Sequence, residues 1–415
     1  MSPINATQQS LHGITVLELG STVAGPFCGR LLADFGAKVI KVEPPEGDPV
    51  RSMGKRKDGV SLYAASIFRN KTLLSIDLRV PEGREIAKKL ALKADIVIEN
   101  FKPGTLEKWG LGYEDLRKDN PGLIMVRISG FGQDGPYKDR AGYGVICEAM
   151  SGLRHLTGDA DRPPGRVAVS MTDYITGLYA AFGAMNALVV RGKTGIGQCI
   201  DAALYECAFS FMESWISAYD KLGHIANRCG SRLPESTPNN LYPTKDGQHI
   251  HITAMADSVF TRLCHAMNRL ELLQDQRYST ATARGQHFEA LDHDIGLWTE
   301  SHSLQEIEAI LQSVNVPAMR IYTIEDIFND PHYQARGSIQ HVSDEQLGSV
   351  AMAQVVPRLS ATPGKIKHTG GWVGASTRTT LSAELGLSDA ELDRLESQGV
   401  IYDRSEAKRP HVQSV

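Results

Sequence analysis

The sequence predicts an α/β fold with a large, parallel-sheet, Rossmann-like domain and a smaller α/β domain. Two alternations of strand-like and helix-like segments predict it, one over residues 13–132 and one from Leu241 to about Tyr322. The strand-like segments are short and rich in Ile, Val and Leu. Such segments, joined by helices, are typical of parallel strands that are covered by helices on both faces.

The first alternation defines the large sheet. The predicted strands are 13–20, 38–43, 72–78, 95–101 and 122–132. The predicted helices are 25–37, which ends in a glycine stop, and 81–94, which has Pro81 in its first turn. Ligands of parallel sheets bind at the carboxyl ends of the strands. We therefore expect a binding crevice formed by the loops 20–25, 43–51, 100–104 and 129–135.

A single carboxylate opens the next helical segment. From Thr172 onward, apolar residues recur at helical spacing, which predicts an amphipathic helix ending near Arg191 and Gly192. Asp173 therefore lies in the first helical turn, where the helix dipole favours a charged carboxylate. On residue chemistry alone, the simpler interpretation of Asp173 is a helix cap.

The rest of the chain predicts one further helix, a linker, the smaller domain and a tail. Residues 200–223 read as one long helix, and 224–240 as a loop or linker. The smaller domain has predicted strands 249–254 and 316–322 and predicted helices 258–269 and 287–302. The tail ends in a predicted helix, 388–399. Ser388 and Glu391 are predicted to form a capping box at its start.

Composition excludes several function classes. The chain has 415 residues and a formal net charge of −4, so no basic field predicts binding to nucleic acid or to a membrane. No apolar run approaches the roughly 18 residues that span a bilayer. The first 13 residues lack the features of a signal peptide, and six separated cysteines indicate reduced thiols. We expect a cytoplasmic protein.

Three other kinds of site are considered and disfavoured. Glu43 stands where a dinucleotide-binding acid would, but the loop GSTVAG lacks the middle glycine that approaches a pyrophosphate. His249 and His251 share a strand face, yet no third ligand stands at a recognised spacing, so no metal is expected. The simpler interpretation of the basic cluster from Arg51 to Lys57 is a solvated loop, and the alternative is a phosphate-binding loop.

Sequence motifs along nearly the whole chain carry a family resemblance. They include LHGITVLELGSTVAGPFCGRLLADFGAKVIKVEPPEGD, FRNKTLLSIDL, ADIVIENFKPG, ISGFGQDGPY, the Asp173 segment, GKTGIGQCIDAALYE, NLYPTKDG and DPHYQARG. With these motifs the chain resembles the class III CoA-transferases (CaiB/BaiF type), which include formyl-CoA:oxalate and carnitine CoA-transferases. α-Methylacyl-CoA racemase is a more distant relative of the same family.

The resemblance implies a covalent reaction and an assembly. Asp173 is then the nucleophile that attacks an acyl-CoA, forming first an acyl anhydride and then an aspartyl-CoA thioester. The substrates are an acyl-CoA donor and a carboxylic acid acceptor, with no tightly bound cofactor. An interlocked homodimer is also implied. Its large domain combines residues 1–224 with the returning tail 326–415, and its small domain is 225–325.

The resemblance also implies CoA contacts by position. The expected contacts are Thr22, Val23, Lys71, Asn100, Phe101, Lys108 and Arg140. Pro44 stands where formyl-CoA transferase has a CoA-binding arginine, so Arg51 or Arg56 is expected to substitute. Val23 likewise replaces a glutamine of that enzyme.

Two further departures bear on the reaction. Gly144 stands where many relatives carry an acid, and Glu148 where they carry glutamine. The racemase branch has a GHD stretch where this chain has GYG, which favours CoA transfer over racemisation, the alternative activity. The overall pattern is most similar to transferases that use succinyl-CoA and dicarboxylic acids.

Overall fold

The structure, a computed structural model, describes residues 8–233 and 235–403. The start of the segment on which the signal-peptide expectation rests, residues 1–7, lies outside this range. The chain forms two compact units. The first contains the described parts of 1–153, 167–216 and 335–415, and the second contains 154–166 and 217–334. The first unit is therefore discontinuous, and the chain returns to it after residue 334.

The described chain contains helices and strands in alternation. The strands are β1 (Thr15–Glu18), β2 (Lys38–Glu43), β3 (Arg56–Lys57), β4 (Val60–Ser61), β5 (Lys71–Ile76), β6 (Ile96–Glu99), β7 (Ile124–Ser129), β8 (Cys199–Ala203), β9 (Asn239–Pro243), β10 (His249–Thr253), β11 (Ala318–Arg320), β12 (Ile339–Asp344), β13 (Gly348–Ala353) and β14 (Ile401–Tyr402). The helices are α1 (Ala24–Asp34), α2 (Leu62–Ile67), α3 (Pro81–Lys93), α4 (Thr105–Lys108), α5 (Tyr113–Leu116), α6 (Gly144–Met150), α7 (Leu153–Leu156), α8 (Met171–Thr194), α9 (Leu204–Phe209), α10 (Glu213–Leu222), α11 (Asp257–Ala266), α12 (Ala281–Gln286), α13 (Phe288–Glu300), α14 (Leu304–Ser313), α15 (Ile324–Asn329), α16 (Pro331–Ala335), α17 (Thr377–Leu385) and α18 (Asp389–Ser397). None of these helices is long and apolar enough to cross a membrane.

A seven-stranded sheet organises the first unit. Its strand order is β14-β5-β2-β1-β6-β7-β8, and every neighbouring pair is parallel except β14 with β5. The six parallel strands thus follow the doubly wound order. The chain adds β2 and β5 on one side of β1 and then β6, β7 and β8 on the other side, so the winding direction reverses between β1 and β6. The α/β class and the large, mostly parallel sheet predicted from the sequence are confirmed.

The sheet has an apolar layer on each face, because successive side chains of a strand point to opposite faces. Val16 of β1 belongs to an apolar cluster with residues of α1 and α8, whereas Leu17 belongs to a second cluster with residues of α3, α17 and α18. The returning tail therefore completes one of the two layers, through Leu381 and Leu392. The capping box predicted at the start of the last helix, α18, is confirmed.

Helix α8 buries its small side chains rather than its large ones. Its buried residues are Thr172, Thr176, Gly177, Ala180, Ala181, Ala184 and Ala187. A Cβ atom on Gly177 would lie 2.8 Å from the carbonyl oxygen of Ala24, so α1 and α8 can approach only because this residue is glycine. Leu178 and Phe182, which contribute to the predicted apolar periodicity, are 58% and 65% exposed.

The second unit is built on an antiparallel sheet of order β11-β10-β9. Ile250 and Ile252 of β10 pack with residues of α11, α13 and α14 in one apolar core. The predicted strands and helices of the smaller domain correspond to β10, β11, α11 and α13. Strand β9 is not among the predicted strands, and it begins at the end of the predicted linker 224–240.

Two predictions for the middle of the chain are wrong. Residues 200–223 are not one helix, because β8 comes first and α9, a short 3₁₀ turn over 210–212 and α10 follow. Helix α8 does not end at Arg191. It continues to Thr194 and ends at Gly195, whose φ of 74° suits a left-handed helix stop.

Candidate active site

A cleft of about 480 Å³ lies within the first unit at the carboxyl ends of the parallel strands. It is lined by the loops that follow β1, β6 and β7, together with the start of α8. The lining residues are 21–24, 49, 100–103, 128–130, 138–144, 173 and 204. The cleft thus lies where the winding direction of the sheet reverses, which is the place where sheets of this order bind ligands.

Asp173 lies in the first turn of α8 and borders this cleft. Ser170, the N-cap residue, makes no side-chain capping bond, so Asp173 is the acidic group at this helix start. The positive end of a helix dipole stabilises an ionised carboxylate. Asp173 therefore lies at the cleft, where the helix dipole favours its negative charge.

The carboxylate of Asp173 lies against bare backbone at the start of α6. A Cβ atom on Gly144, the first residue of α6, would lie 2.1 Å from Oδ2 of Asp173 and 2.9 Å from its Cγ. Only glycine allows this approach. The N-terminal ends of two helices, α6 and α8, therefore both lie beside one carboxylate, and both favour its negative charge.

Two ionisable groups near Asp173, Cys147 and Tyr63, are kept neutral. Burial, helped by the negative charge of Asp173, raises the pKa of the Cys147 thiol to about 11. Cys147 is then a thiol at neutral pH, and it donates to the carbonyl oxygen of Gly130 at 3.2 Å. Burial also raises the pKa of Tyr63, whose hydroxyl lies 2.9 Å from that of Tyr174. Neither Cys147 nor Tyr63 therefore adds a negative charge beside the Asp173 carboxylate at neutral pH.

Comparison with known proteins identifies the family of this chain. A family model described as CoA-transferase family III matches residues 11–376. The chain belongs to this family. It is a CoA-transferase, as its sequence motifs predicted, and CoA thioesters are its substrates.

Relatives cover nearly the whole length of this CoA-transferase. A succinyl-CoA–D-citramalate CoA-transferase of Chloroflexus aurantiacus is 49% identical over 94% of this chain and 98% of its own. A mouse succinyl-CoA:glutarate CoA-transferase is 32% identical over 95% and 91%. A crystal structure of a CaiB/BaiF family protein from Brucella suis superposes with a TM-score of 0.81 at 35% identity, covering 91% of this chain and all of the other.

The structure brings most of the predicted site residues of the CoA-transferase into one cleft. The six that line it are Thr22, Val23, Asn100, Phe101, Arg140 and Asp173. Asn100 joins two of the loops, because its side chain accepts from the N–H of Ser21 at 2.7 Å and donates to the carbonyl of Ser21 at 2.8 Å. The backbone N–H of Phe101 is held by Glu99 at 2.8 Å.

Three of the predicted CoA contacts do not line the cleft. Lys71 cannot reach a ligand, because its ammonium is fully buried and bonds to Glu18 at 2.6 Å and to the carbonyl of Pro26 at 2.7 Å. Arg51 is engaged by Glu43 at 2.6 Å, and Lys108 is exposed on α4. The structure therefore places these three residues outside the lining of the cleft.

Sequence reasoning missed two cations that do line the cleft. Lys102 follows β6 and Lys138 follows β7, and both stand in the loops that the strand ends predict. The signal was present in the motifs ENFKPG and GPYKD. Together with Arg140, they give the cleft a cationic wall suited to phosphates or carboxylates.

Proposed function

We propose that this CoA-transferase moves CoA from succinyl-CoA to a second dicarboxylic acid, with Asp173 as the covalent nucleophile. The observation that carries the proposal is the position of Asp173 in the cleft, against the backbone of Gly144. The substrate class is supported by the relatives, whose names join succinyl-CoA to D-citramalate, L-malate or glutarate.

The proposed reaction balances without a cofactor. An oxygen of Asp173 attacks the thioester carbon of succinyl-CoA, the C–S bond breaks, and a succinyl-aspartyl anhydride and CoA thiolate result. The thiolate attacks the Asp173 carbonyl carbon, and succinate leaves. The acceptor carboxylate then attacks the aspartyl-CoA thioester and releases the thiolate again. The thiolate finally attacks the acyl carbon of the acceptor, which releases the Asp173 carboxylate.

The cleft supplies charge stabilisation for each step. The ends of α6 and α8 favour negative charge on Asp173 and on an oxygen that develops beside it. Lys102, Lys138 and Arg140 are the cations proposed to hold the phosphates of CoA and the free carboxylate of the dicarboxylic acid. Thr22, Val23, Asn100 and Phe101 are proposed to border the rest of the CoA substrate.

The acceptor is proposed to be a short dicarboxylate of the citramalate and malate type. D-Citramalate differs from D-malate by one methyl group, which an apolar pocket discriminates by only about 10- to 200-fold, whereas L-malate has the opposite configuration. We therefore expect the enzyme to use both acids with succinyl-CoA, and to prefer the acceptor of its more similar relative, D-citramalate.

The oxygen atoms provide the test. If the acceptor carboxylate attacks the aspartyl-CoA thioester, one acceptor oxygen remains on Asp173 after turnover. After a single turnover with acceptor labelled in its carboxylates with ¹⁸O, mass spectrometry should find a +2 Da shift in the peptide that contains Asp173, whereas repeated turnovers label both oxygens. Asp173→Asn should abolish both transfer and exchange of labelled succinate into succinyl-CoA. Asp134→Asn, at an exposed aspartate outside the cleft lining, is the matched control.

The same experiment distinguishes CoA transfer from racemisation, the alternative activity. A racemase needs a second base that returns the α-proton. The cleft lining contains no histidine within the described chain, and Tyr143 stands where the racemase branch has one. Exchange of α-protons with deuterated solvent, without label on Asp173, would reject the transferase mechanism and favour racemisation.

The assembly is proposed to be an interlocked homodimer in the cytoplasm. Its support is the discontinuous first unit and the exposed apolar face of α8, where Leu178 and Phe182 lie. The six cysteines are free, as expected in a reducing compartment. Sedimentation equilibrium should give twice the chain mass, with no dissociation on dilution, because interlocked chains cannot separate while they are folded.

A further inference from the structure

A cluster of four buried charges lies beneath the loop that leaves β1. Its members are Glu18 of β1, Lys41 of β2, Lys71 of β5 and Asp48, which follows β2. Each is no more than 3% exposed. Lys41 contacts Asp48 at 2.9 Å and Glu18 at 3.3 Å, while Lys71 contacts Glu18 at 2.6 Å. Two cations and two anions thus neutralise one another inside the fold.

The cluster is joined to the cleft through backbone atoms. Lys41 donates to the carbonyl oxygen of Gly20 at 2.7 Å. Asp48 accepts from the N–H of Thr22 at 3.0 Å and from the N–H of Val50 at 2.9 Å. The Lys41–Asp48 pair therefore bonds to the backbone of the residues on either side of Ser21. Ser21 itself is bonded by the side chain of Asn100, which follows β6.

The residue held in this way has an unfavourable backbone conformation. Thr22 has a φ of 68°, in the left-handed region where a β-branched side chain is an outlier. Such a residue persists only when its surroundings impose the conformation. Here the loop is flanked by the start of α1 and lines the cleft with Thr22 and Val23.

We propose that Asp48, paired with Lys41, is a positioning residue for CoA transfer: it holds Thr22 in the left-handed conformation and so fixes the Ser21–Val23 loop in the cleft. Asp48 touches no substrate in this account, since it is buried and acts through the N–H of Thr22. The inference rests on the proposed function, because the loop is taken to border the CoA thioester.

The electrostatics make this contact a strong one. Burial would raise the pKa of Asp48, but Lys41 and the N–H groups of Val50 and Thr22 outweigh it and lower that pKa. Asp48 is thus a charged acceptor, and hydrogen bonds to a charged acceptor are about twice as strong as neutral ones. Asparagine has the same shape but lacks this charge, so Asp48→Asn weakens the hold on Thr22 without opening a cavity.

The test compares Asp48→Asn with Asp34→Asn. Asp34 is also a buried aspartate, paired with Arg69 at 2.6 Å, and it does not line the cleft. Both variants lose a buried charge and should lose similar thermal stability. Only Asp48→Asn should lower kcat of transfer, by about tenfold or more, with KM for succinyl-CoA changed less than twofold. Equal kcat values for the two variants would overturn the proposal.

A double variant tests the route through Thr22. Glycine adopts a positive φ without strain, so the loop of Thr22→Gly needs Asp48 less. Adding Asp48→Asn to Thr22→Gly should therefore lower kcat by no more than about threefold. A loss as large as in the wild-type background would show that Asp48 acts elsewhere.

Hydrogen exchange tests the structural role of Asp48 independently of the CoA-transfer reaction. Amide exchange in a peptide spanning 20–23 should be at least tenfold faster in Asp48→Asn than in wild type or Asp34→Asn. If wild type shows no transfer but this difference appears, the proposed function fails while the structural role of Asp48 stands. If wild type is active and the exchange rates are equal, the positioning role is rejected.

Discussion

Gly144→Ala is the perturbation whose effect on catalysis can be worked out most directly. The added Cβ would lie 2.1 Å from Oδ2 of Asp173, a distance that Cβ contacts do not show in proteins. The carboxylate has to retreat by roughly 1 Å before the contact is tolerable. Misplacing a reacting group by about 1 Å can lower its rate about 100-fold. This loss corresponds to about 2.7 kcal/mol of transition-state stabilisation.

Stability should change much less than activity. Asp173 is only half-buried, so its side chain can move towards the cleft. Gly144 also has no positive φ, and alanine adds no backbone strain. We expect a melting temperature within a few degrees of wild type. The assay is exchange of labelled succinate into succinyl-CoA, measured beside differential scanning calorimetry.

The same substitution at a glycine of α8 is the control. Gly192 is exposed, and a Cβ there meets no atom within 4 Å. Gly192→Ala should therefore keep full exchange activity and stabilise the protein by about 0.5–1 kcal/mol, because alanine is the better helix former. Wild-type exchange in Gly144→Ala would refute the reasoning, since the carboxylate would then not react from its position against Gly144.

Three further predictions concern charges and a helix start. Burial lowers the pKa of Lys71 to about 8, so between pH 8 and its ordinary 10.5 the unfolded chain binds the extra proton. The urea-unfolding free energy of wild type should thus rise with pH in this window relative to Lys71→Met, and a constant difference would contradict the lowered pKa. Arg140→Gln should raise KM for succinyl-CoA about tenfold, whereas Lys108→Gln, outside the cleft, should leave it unchanged. Ser388→Ala should cost about 1 kcal/mol in unfolding free energy without affecting turnover, because it removes the capping box of α18.

The strands of the large sheet could be predicted because both of their faces are buried. Such strands read as continuous apolar runs, and β2 begins and ends where the sequence placed it. Strand β8 escaped detection because its CIDAA sequence has low strand propensity and runs directly into α9. The apolar periodicity of α8 was real, but close packing on α1 selects alanine and glycine for the buried face.

The site residues could be predicted where their position at the end of a strand brings them into the cleft. Loops at strand ends meet at one edge of a parallel sheet, so Thr22, Asn100 and Arg140 came together as expected. Lys71 shows what sequence cannot supply. Its partner Glu18 lies on another strand, and only the folded register reveals that the ammonium is buried beneath α1.

The antiparallel strand β14 has a consequence for how the protein is made. β14 pairs with β5 at the edge of the sheet, yet roughly 300 residues are synthesised between the two strands. At about 5–20 residues per second, a ribosome needs tens of seconds to deliver β14 after β5. Throughout that interval β5 is an open edge strand, which can pair with another chain. This edge of the sheet is therefore closed only when the residues of β14 have been synthesised. A chain that stops short of Ile401 leaves β5 exposed at the edge.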